Sequence, residues 1–190
     1  LEKMISFLED NPSAGIVGPR TINTDGSHEP SVYNFPAIKT TLVDVLYLDN
    51  IFPKLQGYER KFYNPEPVHE KVQVICGACL MTRRKLIEEL GSFDEQLWMY
   101  GEDVELCRRY LNAGYSSYFL KDCSIIHKRG QKHLDEKTEY DMSRIIYWHY
   151  RWIFYYLGKH CGAVSGYIIK KLLYVNIVSK YLPRKKKIAA

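Results

Sequence analysis

Apolar residues at Leu1, Met4, Ile5 and Leu8 share one face of a predicted helix over residues 1–10. Asn11-Pro12 ends it, because proline disfavours helix in the residue before it. Ile16-Val17 reads as a short buried strand closing at Gly18-Pro19, and Thr24-Asp25-Gly26-Ser27 as a turn. Residues 28–36 are polar and proline-marked, which predicts an irregular loop. From Thr40 to Phe52 the apolar positions Leu42, Val45, Leu46 and Leu48 return to a helical spacing. The stretch 53–69 is the least regular of the body, with three prolines and Gly57, and is expected to be a loop. Val72 to Met81 reads as one buried strand interrupted at Gly77. Arg83 to Leu90 reads as a helix stopped by Gly91. A second amphipathic helix is expected from Glu102 to Asn112, with Val104, Leu106, Cys107, Tyr110 and Leu111 on its apolar face. Tyr115–Leu120 and Cys123–His127 read as two strands. Strands interleaved with helices at this spacing predict an α/β class with a mixed sheet.

With 190 residues and 46% apolar content the chain has enough to bury one core. It opens at Leu1, inside a predicted helix and without an initiator methionine, so we expect part of a longer protein. The five cysteines are odd in number and irregular in spacing. Cys76-Gly77-Ala78-Cys79 matches C-x-x-C, but within a strand an offset of three would put the two thiols on opposite faces. No second such pair or nearby histidine completes a metal set. Reduced, structural cysteines are expected, as in a reducing cytoplasm.

The most informative segment is Gly91 to Gly114, GSFDEQLWMYGEDVELCRRYLNAG. There an aromatic loop of Trp98, Met99 and Tyr100 leads into Glu102-Asp103 at a helix start. Unpaired backbone N–H groups and the helix dipole favour a carboxylate at that end, which would keep it ionised as a general base must be. Acidic residues in a first helical turn are also ordinary caps. Aromatic faces bind the apolar side of sugar rings, and equally fill cores. Gly77-Ala78 within a strand suggests close backbone approach. His127, at the end of a strand and before Lys128-Arg129-Gly130, is either a ligand or a satisfied structural histidine.

The pieces also follow an order. A strand ends in Gly-Ala, Arg-Arg opens a helix, and Gly-x-Phe-Asp-Glu follows. Then come the aromatic loop with Glu-Asp, Gly-Tyr, and a strand ending in His. In this order and spacing, residues 1–131 resemble bacterial family 2 glycosyltransferases of the GT-A fold, especially the rhamnosyltransferase-like group that builds surface polysaccharides. Gly15-Ile16-Val17-Gly18-Pro19 and Asp25-Gly26 fall in the same register. The resemblance implies residues 1–135 as the acceptor-side part of a GT-A domain, a partial Rossmann-like mixed sheet with flanking helices. It implies Asp103 as catalytic base with Glu102 supporting it or contacting the acceptor, Gly77 and Ala78 lining the sugar pocket, and Trp98 and Tyr100 holding the acceptor. His127 would join the metal and diphosphate site. It further implies inverting transfer from a nucleotide-sugar donor, rhamnose by analogy, to a saccharide or lipid-linked acceptor, with Mg²⁺ or Mn²⁺ assisting the leaving diphosphate. The family's Asp-x-Asp motif and nucleotide-binding half are not in these 190 residues. The cation is therefore expected to be held mainly by an upstream motif, and this chain alone is expected to be inactive.

Residues 136–190 form a second region. Ile145, Trp148, Trp152 and Tyr155 recur at helical spacing, and Tyr167 to Leu182 is another apolar stretch carrying Lys170 and Lys171. From Lys159 onward there are eight Lys or Arg and no Asp or Glu, so the net charge of +5 belongs to this tail. About 16 residues with two lysines are short for a span of ~20. Amphipathic helices lying on an anionic membrane fit better, with Arg184 to Lys187 adding attraction, at the inner face of the cell membrane. Loss of residues 167–190 would then weaken vesicle binding. The alternative is a helix pair that packs on the domain or makes a homo-oligomer, leaving a non-catalytic docking module. Nucleic acid is disfavoured as a partner, because the basic residues follow apolar helices and form no stripe on a folded face.

Overall fold

A computed structural model describes residues 1–46, 48–52, 69–128 and 142–181. It is α/β, with a mixed sheet, flanking helices and a C-terminal helical pair, an arrangement consistent with part of a GT-A fold. The elements run α1 (Glu2–Asp10), β1 (Ala14–Ile22), β2 (His28–Glu29), β3 (Val32–Tyr33), α2 (Ile38–Leu46) and α3 (Leu48–Ile51). They continue with β4 (His69–Val72), β5 (Val74–Ile75), β6 (Met81–Thr82), α4 (Arg84–Leu90) and α5 (Glu102–Asn112). β7 (Ser116–Ile126), α6 (Met142–Cys161) and α7 (Ala163–Tyr181) complete the chain. The loop expected at 53–69 lies outside the described residues up to 68, and His69 opens β4.

β1 is the spine. It pairs in parallel with β7 on one side and antiparallel with β2 and β6 on the other, while β4 closes the far edge of β7. Adjacent residues along a strand point to opposite faces, and the two cores follow that rule. Ile16 and Phe119 join the larger cluster under α5 and α6, whereas Val17 and Leu120 join Met4 and Leu8 of α1.

One irregularity corrects two expectations. β1 does not close at Gly18-Pro19 but runs on to Ile22, and the two strands expected around 115–127 are one. The β1–β7 register steps from Pro19↔Leu120 to Arg20↔Ser124, so a bulge sits beside the proline. Proline has no N–H to give the ladder and is accommodated at such a bulge. Two short strands, β2 and β3, replace the irregular loop expected over 28–36. The expected strand over Val72–Met81 is also wrong. It breaks into β5, a turn closed by Cys79 N–H donating to Cys76 O at 3.4 Å, and β6. Cys76 and Cys79 thus lie in a turn, and the opposite-faces argument does not apply to them.

Arg83, ahead of α4, donates to the carbonyls of Leu8, Asn11 and Ala14, tying off the end of α1. α5 begins and ends where its periodicity placed it, but Leu111 is exposed and Glu105, on the supposed polar side, is 0% exposed. The reason is α6. Glu105 accepts from Arg109 Nη2 at 2.7 Å and from Lys159 Nζ at 2.8 Å. Lys159 also reaches Asp94 Oδ2 at 2.6 Å, which Tyr155 O–H contacts at 2.7 Å. Burial alone would raise the Asp94 carboxyl, but the bonds from Lys159 and Tyr155 outweigh it and hold the pKa at about 2. Asp94 therefore contributes stability above the ordinary value of 3.8, which is lost as pH falls through about 2. Urea midpoints should drop between about pH 4 and 2 in the wild type and less steeply in Asp94→Asn. Glu105→Gln, which leaves two cations facing a neutral amide, should cost about 2 kcal/mol at neutral pH in urea unfolding.

The break between the last two helices falls at Gly162, so α7 begins ahead of the apolar stretch expected from Tyr167. Gly158 and Gly166 face each other. A Cβ on Gly166 would lie 2.7 Å from Phe154 O and 2.8 Å from Gly158 Cα, so the two backbones touch. Trp152, Ile153, Tyr156 and Leu157 of α6, with Ile169 and Leu173 of α7, are buried in the same cluster as Ile16 and Phe119.

Candidate functional site

Two left-handed residues in succession lead into α5: Tyr100 at φ 67° and Gly101 at φ 79°. A non-glycine residue at positive φ is uncommon and is held only where surroundings over-determine it. Gly101 supplies the restraint. It is buried, and a Cβ there would stand 2.3 Å from Trp152 Cε3 and 2.5 Å from Cδ2. The indole of α6 thus lies flush on the residue that launches Glu102-Asp103.

Asp103 is fixed from the other side by the 76–79 turn. Its Oδ2 accepts from Gly77 N–H at 2.7 Å, and its Oδ1 from Val104 N–H at 2.7 Å. Gly77 is exposed and lies in this turn, not in a strand interior. A methyl group there would meet Asp103 and Glu102 only at 3.5–3.7 Å, an ordinary contact, so no steric rule demands glycine. Ala78, beside it, is half-buried. The expectation that the helix start keeps the carboxylates readily ionised is reversed in direction. Burial pushes the Asp103 carboxyl up, against the pull of the Gly77 and Val104 amides. Burial and then the nearby Asp103 charge push Glu102 up. Glu102 Oε2 is buried and, among the described residues, has no hydrogen-bond partner. A buried polar atom of that kind is uncommon and suits a ligand hydroxyl.

His127 directly follows β7, and its Nδ1 lies 2.8 Å from Oε2 of Glu29, a residue only 4% exposed. In the tautomer in which Nδ1 donates to Glu29, the Nε2 lone pair faces away from that bond and can meet a ligand. Glu29 was not singled out from sequence, where it stands in an unremarkable polar stretch; only the β1–β2 pairing brings it beneath His127. One carboxylate from each group, Asp103 and Glu29, acts on the same thiol. Burial raises Cys76, and both Asp103 and Glu29 push it further.

Trp98 is 67% exposed and tilts against Trp148 of α6 at 5.5 Å between ring centres. Tyr100 is also exposed. The structure therefore brings Gly77 to Asp103 and Glu102, with the aromatic loop directly before them, while His127 sits with Glu29. Among the described residues no three His, Cys, Asp or Glu side chains come together to hold a metal.

No family model matches the chain. It is 30% identical over 122 residues to an N-acetylglucosaminyl-diphospho-decaprenol L-rhamnosyltransferase of Mycobacterium tuberculosis, covering 62% of this chain and 38% of the relative. A dTDP-rhamnosyl transferase, RfbF, of Shigella flexneri is 28% identical over 133 residues, 68% of this chain and 38% of the relative. A low-salt glycan biosynthesis hexosyltransferase, Agl10, of Haloferax volcanii is 23% identical over 144 residues, 76% and 41%. The chain spans about two fifths of the length of these curated relatives. Its relatives share one kind of chemistry, and the chain is similar to rhamnosyltransferase-like glycosyltransferases.

Proposed function

We propose that this chain is the acceptor-side part of an inverting glycosyltransferase, with Asp103 as the general base. The observation that carries the reading is a half-buried carboxylate of raised proton affinity, aimed by the Gly77 amide and preceded by an exposed aromatic loop. Asp103 takes the proton of the acceptor hydroxyl as that oxygen attacks the anomeric carbon. The bond from this carbon to the nucleotide diphosphate breaks as the new one forms, inverting the centre without a covalent enzyme intermediate. A raised pKa makes the ionised form of Asp103 a stronger base than an exposed carboxylate. Glu102, whose Oε2 has no partner among the described residues, holds the acceptor, and Gly77, Ala78, Trp98 and Tyr100 border it.

The relatives' names point to a dTDP-activated donor and to a sugar carried on a diphospho-polyprenol, and we propose that class of pair, rhamnose included, for the whole enzyme. A divalent cation, Mg²⁺ or Mn²⁺, would screen the leaving diphosphate. Among the described residues no complete metal centre forms, and His127 Nε2 is the ligand they offer at this site; the main ligands are proposed to come from an upstream motif. The test is a transfer assay on the full-length protein with a panel of nucleotide sugars. Sugar-dependent release of nucleoside diphosphate with formation of a glycosylated acceptor is expected; no transfer from any donor would end the proposal. Transfer by the 190-residue chain alone would refute the need for the missing half.

Such an acceptor calls for a membrane, and the outer face of α7 supports contact with an anionic one, on the cytoplasmic side. Val164 (72% exposed), Tyr167, Ile168, Tyr174 (67%) and Val175 lie together on this helix with Lys171, opposite buried Ile169 and Leu173. No described helix is long and apolar enough to cross a membrane. Deleting residues 167–190 would also strip Ile169 and Leu173 from the core, so point changes make the cleaner test. Tyr167→Ser with Tyr174→Ser and Lys171→Glu should cut binding to phosphatidylglycerol vesicles by roughly tenfold, with added salt weakening the wild type. Unchanged binding would instead favour α7 as a contact between protein chains.

A further inference from the structure

The exposed aromatic surface does not stop at the loop. Trp98 tilts on Trp148, and Tyr147 meets Trp148 edge-on at 5.2 Å. Tyr147 is 57% exposed, so three large rings form one open ledge, one from the loop and two from α6. Arg151 sets its position, with its guanidinium 5.0 Å from the Trp148 ring and Nη1 donating to the carbonyl of Gln96. The ledge is also registered to the carboxylates. Trp148 and Trp152 are one helical turn apart on α6, and Trp152 is the ring on which Gly101 rests, directly before Glu102-Asp103. Exposed aromatic rings grouped in this way mark a binding surface more often than isolated apolar residues do.

We propose that Trp148 and Tyr147 of α6 extend the acceptor site, and that the ledge they form with Trp98 receives a sugar ring of the acceptor. Flat π-faces suit the C–H side of a pyranose, and the Arg151 guanidinium with the Gln96 carbonyl at the edge suits its hydroxyls. An acyl or prenyl chain would gain nothing from that polar edge. This rests on the proposed transfer reaction.

The test is steady-state kinetics of the full-length protein with methyl and octyl glycosides of the same sugars as acceptors. Trp148→Ala should raise the acceptor KM roughly tenfold for both glycosides, leaving the donor KM and the thermal midpoint near wild type. Trp148→Phe should recover most of the loss. A penalty confined to the octyl glycoside would overturn the sugar assignment in favour of a lipid chain. Unchanged acceptor KM, or an equal loss on donor and acceptor, would overturn the proposal altogether. A wild-type enzyme that transfers no sugar would instead fail the parent reaction, and the ledge proposal with it.

Discussion

Asp103→Asn is expected to lower kcat of the full-length enzyme by about 10²-fold or more while donor binding stays intact, the usual worth of a positioned general base. The substitution is close to isosteric. The amide oxygen can accept from Gly77 or Val104, but its NH₂ must face the other donor, and it cannot take a proton from a hydroxyl. Fold stability makes a separate readout. Burial raises Asp103, so its ionised form costs stability as pH rises through the folded pKa, and the neutral side chain removes that cost. The unfolding midpoint near pH 7 should therefore hold or rise while turnover collapses. In the wild type, activity should fall with acidification through a pKa above the ordinary 3.8, because the base must be ionised. Unchanged turnover in Asp103→Asn would reduce Glu102-Asp103 to a helix-start feature and leave the docking-module alternative standing.

Gly101→Ala is expected to destabilise the chain by about 3 kcal/mol in urea unfolding, from a left-handed backbone forced on alanine plus an overpacked contact. The added methyl has nowhere to go, with the Trp152 ring 2.3 Å from where it would stand. Relief has to come from α6 or from the segment that carries Glu102 and Asp103, so catalysis should fall along with stability. Trp152→Leu in the same chain should restore part of both, because it opens space where the methyl points; such non-additivity is the mark of direct contact. A cost under about 1 kcal/mol with full activity would mean that the loop yields freely there, within the range of an ordinary surface change.

Local rules were enough for α5. Its start at Glu102 and end at Asn112 follow from an apolar stripe and a Gly114 stop, features that neighbouring residues carry. They failed where the deciding partner is remote in sequence. Glu105 belongs on the polar side of α5 until Lys159, 54 residues later, arrives to cover it. Glu29 became visible only through its bond to His127, 98 residues away. The bulge beside Pro19 misled in two places at once, since one irregularity shared by paired strands reads in sequence as two separate strand ends. Gly77 was noticed for its lack of a side chain, yet what it offers Asp103 is a backbone N–H, which any residue but proline could offer. Trp98 was legible as an aromatic at a loop, but its neighbour on α6 was read as part of a separate region.

The backbone contact between Gly158 and Gly166 gives the last two helices a mechanical property that side-chain packing would not. Interdigitated side chains can change rotamer and let helices slide, whereas two main chains in direct contact have no such slack. Whatever α7 rests on therefore sets the pose of α6, and α6 carries the indole beneath Gly101. A surface engaged by α7 would hold Asp103 at a fixed standoff and tilt, as a tripod leg fixes the height of an instrument, without touching a single residue of the site.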